Sequence, residues 1–220
     1  AGTHLPLGLN NPPTYQIWIL PHREYSGGNV SRQAALRAGQ AFDLQIVTRP
    51  GVMIPDDALA ALKVWSLLGG VGKRSRRMFG AIRIGAKDNP LWYAAPKTAD
   101  DLAGLITQTL TQAVSKPATF TREPAWPTLH PKYSWVVVGR EAYENSQQAN
   151  AALFNLLRGP YREHERSFGH AMGGRRASPL HAQVRRIGTE YYPVLTALRA
   201  GPTDRDIKWD VVARFMKDAE

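Results

Sequence analysis

Residues Leu68–Gly80 read Leu-Gly-Gly-Val-Gly-Lys-Arg-Ser-Arg-Arg-Met-Phe-Gly, with four glycines, four cations and no acid in thirteen residues. So dense a run of glycine cannot continue a helix or hold a central strand, because each glycine surrenders more backbone freedom than any other residue on ordering. The stretch is therefore a loop, and it divides two elements. Before it, Leu59, Leu62, Trp65 and Leu68 recur at helical spacing behind Asp56 and Asp57, which suit a helix N-terminus. After it, residues 81–84 read as a short strand. Glycine also lets another backbone approach closely, and lysine and arginine attract phosphate. The loop is suited to holding a polyanion against bare backbone.

The direction of that crossing excludes two chemistries. A nucleoside-triphosphate loop of the G-x-x-x-x-G-K-[ST] type leaves a strand and enters a helix. A dinucleotide fingerprint needs the same helix N-terminus to face a pyrophosphate. Here a helix leads in and a strand leads out. What fits is a cradle for a sugar-phosphate backbone, with backbone amides from Gly70 and Gly72 onward, the Ser75 hydroxyl, and charge from Lys73, Arg74, Arg76 and Arg77.

Charge elsewhere supports a polyanionic partner. The 220 residues carry 28 Lys plus Arg against 18 Asp plus Glu, a formal net charge of +10. Nucleic acid is a common reason for such a balance. Segment 158–186 holds Arg158, Arg162, Arg166, Arg175, Arg176, Arg185 and Arg186 against Glu163 and Glu165. Its centre, Phe168-Gly-His-Ala-Met-Gly-Gly-Arg-Arg-Ala-Ser-Pro-Leu, again sets glycines beside paired arginines. Ser178 and Pro179 there start a strand. The two basic segments are expected to line one groove.

The remaining residue types narrow the chemistry. There is no cysteine, so disulfides, thiolate metal sites and cysteine nucleophiles are excluded. The six histidines are His4, His22, His130, His164, His170 and His181. Neither His164 nor His170 lies in an H-x-E or H-E-x-x-H pattern, and no ligand spacing points to a metal. No cofactor is expected. A nuclease working by general acid–base chemistry would want a histidine near a basic groove, for which His170 is the best candidate and His164 the second; His170 is also a candidate for RNA contact or stacking. Trp65 and Trp135 fall on periodic faces and read as core. Trp126 and Tyr161 read as freer and able to stack on a base. No apolar run approaches the roughly 18 residues of a membrane span, and a cytoplasmic location is expected.

Element by element, Tyr15–Leu20 and Phe42–Thr48 read as strands, and 26–29 as a turn. A helix from Thr98 to Val114 is capped by Thr98, with Leu102, Leu105, Ile106 and Leu110 on one face. Four prolines in 117–131 mark a linker. Tyr133–Val138 is a strand, and Asn145–Leu157 is a helix stopped by Gly159-Pro160. Leu180–Ile187 and Tyr191–Leu198 pair as strands around Gly188, and a final helix covers Asp204–Lys217. The expected organisation is a unit over 1–116, a linker over 117–131 and a second α+β portion over 132–220, either as separate units or as one continuous domain. The fold class is α+β, an antiparallel sheet with helices on one face.

On two motifs the chain resembles the RAMP superfamily, the repeat-associated proteins of CRISPR systems. Within it the chain is most similar to the Cmr-one subunits of type III-B effectors. The first motif is the leucine-bearing helix running into Gly69, Gly70, Gly72, Arg74, Ser75, Arg76, Arg77, Phe79 and Gly80. The second is Arg175-Arg176-Ala177-Ser178-Pro179-Leu180 before a strand pair. Met78 stands where the family usually has glycine, which would stiffen the loop. The family's opening Thr-Pro turn and Arg-Phe-Trp-Trp-Arg helix have no counterpart in residues 1–40, so that portion is expected to be missing or on another chain. The resemblance spans roughly residues 40–200.

The resemblance implies a ferredoxin-like, RRM-like RAMP fold with insertions. It implies a ribonucleoprotein subunit that contacts guide RNA toward its 3′ region and target RNA, beside other subunits of a multi-protein effector, without catalysis of its own. The RNA-binding set it implies is Gly70, Gly72, Lys73, Arg74, Ser75, Arg76, Arg77, His170, Arg175, Arg176 and Ser178. Two other readings stay open. One is a metal-independent endoribonuclease of the guide-maturation type using His170 or His164. The other is a basic scaffold protein whose arginines meet acidic partners.

Overall fold

The computed structural model describes residues 25–26, 29–30, 47–71, 78, 80–84, 93–114, 119–169, 177–200 and 207–220. The chain divides into two compact units, Ala1–Ile54 and Pro55–Glu220. In the first, β1 (Tyr25–Ser26) and β2 (Asn29–Val30) pair antiparallel, with Ser26 opposite Asn29. The expected turn at 26–29 is thus the connection of a hairpin. The expected strand Tyr15–Leu20 and residues 42–46 of the next lie outside the described residues. Val47 and Thr48 are exposed and belong to no strand.

The second unit is built on a three-stranded antiparallel sheet. Its strands are β3 (Ser134–Val138), β4 (Leu180–Ile187) and β5 (Glu190–Leu198), in the order β3-β5-β4. Gly188 takes φ 59° between β4 and β5, the left-handed backbone a two-residue hairpin connection asks for. The antiparallel α+β class read from the sequence is the one observed.

Among the described residues, four helices cover this sheet: α1 (Asp56–Leu68), α2 (Ala99–Ala113), α3 (Ser146–Arg158) and α4 (Trp209–Asp218). Helix α2 starts with a capping box, in which the Thr98 hydroxyl accepts from Asp101 N–H and the Asp101 carboxylate accepts from Thr98 N–H, each at 3.0 Å. Asn145 caps α3 by accepting from the N–H groups of Gln147 and Gln148. Side chains alternate across the sheet. Val138, Tyr192, Val194 and Ile187 form one core with Val64, Leu67 and Leu68 of α1 and Leu102 and Ile106 of α2. The alternate set, including Leu180, Ala182, Leu195 and Ala197, is buried too, and α3 packs on β5 and β4. Helix α4 packs on α3 and on a 3₁₀ turn, Arg162–Phe168. Helices α1 and α2 thus form the layer expected from the sequence, and α3 and α4 add a second on the other face.

Two expected elements are shorter than read. The strand at 81–84 reduces to a single bridge from Ala81 to Gly70. The last helix starts at Trp209 rather than Asp204; Lys208 before it is extended, Ile207 belongs to no helix, and 204–206 lie outside the described residues. Among the described residues no helix is long and apolar enough to cross a membrane.

Candidate nucleic-acid interface

The basic loop hangs from a closed stem. Its central residues, Gly72, Lys73, Arg74, Ser75, Arg76 and Arg77, lie outside the described residues, but both flanks are described. Gly70 pairs with Ala81, and Val71 N–H donates to Gly80 carbonyl at 2.9 Å. Gly80 takes φ 69°, and a β-carbon on it would stand 1.9 Å from the Val71 carbonyl oxygen. Only glycine closes this stem. Met78 also takes a positive φ, 67°. A residue with a side chain strongly disfavours this region.

The stem is docked on β4. Met78 N–H donates to Ala182 carbonyl at 2.7 Å, and the Gln183 amide donates to Gly69 carbonyl. Arg185 does the most. Its guanidinium donates to the carbonyls of Ser66 (2.6 Å) and Leu67 at the end of α1, to Ile82 carbonyl beyond the loop, and to Gln183 Oε1 (2.9 Å). Helix α1 has no basic residue in its last turn. Arg185 supplies the cation that the C-terminal carbonyls and helix dipole favour, from across the core. Burial pulls its pKa below the ordinary arginine value, yet a guanidinium keeps its proton in proteins. Arg185 is only 9% exposed. It was expected among the cations lining a groove, and instead it is an internal tie between both stems of the loop. The reason is register: Gln183 and Arg185 point to the α1 side of β4, where unpaired helix-end carbonyls need donors.

The second basic segment arrives at the same strand. Ser178 is half-buried, and its Oγ accepts from Leu180 N–H at 3.0 Å as β4 begins. His170, Arg175 and Arg176 lie outside the described residues. Because Met78 bonds to Ala182, four residues past Ser178, the described flanks of the two segments meet on one strand. Their separation in sequence is about a hundred residues.

Several aromatics sit differently from expectation. Tyr161 is 4% exposed, with its hydroxyl donating to Asp218 at 2.6 Å and its ring against Phe168 and Phe215. Burial and the neighbouring carboxylate push its pKa up to about 12. It is a core residue, not a free stacking ring. Trp135 is the reverse: read as core, it is 39% exposed. Trp65 is half-buried, and Trp126 is 67% exposed as expected. His164 lies in the 3₁₀ turn, its N–H donating to Tyr161 carbonyl at 2.9 Å. Arg158 pairs with Glu165 at 3.3 Å. Among the described residues no three His, Asp or Glu side chains cluster as metal ligands.

No protein-family model matches this chain, and no curated protein matches it. Among solved structures it is similar to the crystal structure of Cmr1 from Pyrococcus furiosus in the apo form. The TM-score is 0.43 and the identity 20%, over 71% of this chain and 56% of that one. The chain thus spans a little over half the length of that structure.

Proposed function

We propose that this chain is an RNA-binding, non-catalytic subunit of a type III CRISPR effector. In this reading the glycine-arginine loop holds RNA backbone, by charge from Lys73, Arg74, Arg76 and Arg77 and by donors from Gly70, Gly72 and Ser75. Arg175, Arg176, Ser178 and His170 form the other half of the clamp. One observation carries the reading: the flanks of both basic segments join on the first residues of β4, through the Met78–Ala182 hydrogen bond. Two runs of like charge repel unless a common counter-charge is shared, so an anion spanning both is their natural partner. The order of the two motifs, Gly-x-[Lys/Arg]-Arg-Ser-Arg-Arg-x-Phe-Gly and then Arg-Arg-Ala-Ser-Pro, supports the RAMP reading. Guide and target RNA and neighbouring effector subunits are the partners it proposes, in the cytoplasm.

Such contacts position a strand and read little of its sequence. The reading is tested by what leaves the cell with the protein. Material purified at low salt is expected to carry RNA, seen as an absorbance excess near the nucleic-acid maximum that ribonuclease removes. Protein free of nucleic acid under those conditions would contradict it and favour a scaffold role toward acidic proteins.

A further inference from the structure

We propose that Trp135, backed by Trp209 and flanked by Arg199, Lys132 and Lys208, is a stacking platform for an unpaired RNA base. The proposal rests on the RNA-binding reading above and adds a base contact to its backbone clamp.

Trp135 lies on β3, at the edge of the sheet. Its neighbour Val136 packs against the core shared with α1 and α2, so Trp135 points to the other face. It stands opposite Ala197, which is fully buried, yet it stays open to solvent. Trp209, the first residue of α4, lies against it with ring centroids 5.9 Å apart and planes tilted by 35°. Arg199 follows β5 directly, and its N–H donates to Tyr133 carbonyl at 2.8 Å. Its guanidinium lies 5.8 Å from the Trp209 ring centre and donates to Glu123. Lys132 sits 5.5 Å from the Tyr133 ring centre, three residues ahead of Trp135, and the exposed Lys208 immediately precedes Trp209. Cations interleaved with indoles are the pattern that takes base faces and phosphates together.

The position joins this platform to the clamp. Strands β3 and β4 begin, and β5 ends, at one end of the sheet. Trp135, Ala197 and Leu180 form one row across the three strands. At roughly 4.8 Å between strands, Trp135 stands about 10 Å across the sheet from Leu180. Ser178 precedes Leu180 by two residues, so the second basic segment leads into the fold at this same end. A Trp and Arg cluster also suits a protein partner. Arg199 is already paired with Glu123, and the charge of Lys132 and Lys208, with the end of the sheet shared with Ser178, favours RNA.

The test is titration of the full chain with single-stranded oligouridine at several salt concentrations. Trp135→Ala is expected to weaken binding about tenfold without changing the slope of log affinity against log salt, because stacking releases no counterions. Trp135→Phe keeps a ring and is expected to bind close to the parent. Trp135→Leu keeps the apolar bulk, protects folding, and is expected to lose affinity as alanine does. Unchanged affinity in the alanine and leucine variants overturns the platform while leaving the backbone clamp standing. So does an equal loss in Trp135→Phe, or a shallower salt slope in Trp135→Ala. A parent chain that ignores oligouridine at every salt overturns the RNA reading itself and leaves a protein partner for this surface.

Discussion

Arg185→Met is expected to lower the unfolding free energy by about 3 kcal/mol, one of the largest effects of any single change in the second unit. The variant strips donors from the Ser66, Leu67 and Ile82 carbonyls and from Gln183 Oε1, all inside the protein. Hydrogen bonds to a charged group contribute roughly 1.5–3 kcal/mol each, and buried acceptors left bare cost more than the bonds returned. Against this, methionine removes the expense of burying a guanidinium whose Nε has no hydrogen-bond partner among the described residues. The balance still favours arginine, because four acceptors depend on it. For a unit of this size the loss corresponds to a fall of roughly 6–12 °C in midpoint. Arg185→Lys is expected to recover only part, since one ammonium cannot reach the helix end and Ile82 together. Urea unfolding checks both; a methionine variant as stable as the parent would show that the fork carries no net stability.

The second large effect concerns the loop stem. Gly80→Ala is expected to cost about 3 kcal/mol, combining a positive φ with a β-carbon that overlaps the Val71 carbonyl. At Met78 the same backbone region is occupied with no glycine present. Met78→Gly is therefore expected to be tolerated within about 1 kcal/mol, while Met78→Val costs more, because a β-branched residue fits this region worst. Thermal denaturation of the three variants gives the order. A valine variant more stable than the glycine variant would refute the account of Met78.

How much of this was legible depends on whether neighbours in sequence or in space decide a residue's fate. Thr98 and Asn145 announce their helices because a cap bonds within three residues of itself. Gly188 announces the β4–β5 hairpin for the same reason. Arg185 was misread as a groove cation because its acceptors at Ser66 and Leu67 lie 119 and 118 residues away. A trace existed: His181, Gln183 and Arg185 alternate with Ala182 and Val184, so one face of β4 had to take polar groups. Tyr161 and Trp135 exchanged roles through packing that no local pattern records. Tyr161 is covered by Phe215 and bonded to Asp218 at the far end of the chain. Trp135 lies where cover by α4 has only begun. That the two basic segments line one groove is expected from their chemistry; the structure shows that their described flanks, at Met78 and Ser178, reach one strand, β4.

In the proposed reading the loop between Gly70 and Ala81 holds RNA phosphates through its lysine and arginine charge. The direct measurement is the salt dependence of RNA affinity for the parent chain and for the double variant Arg76→Ala, Arg77→Ala. If each arginine neutralises one phosphate of a single strand, the slope of log affinity against log salt becomes shallower by about 1.4, roughly 0.7 per lost contact, and affinity falls at low salt. An unchanged slope would contradict the claim, because it would mean that neither arginine displaces a counterion from RNA.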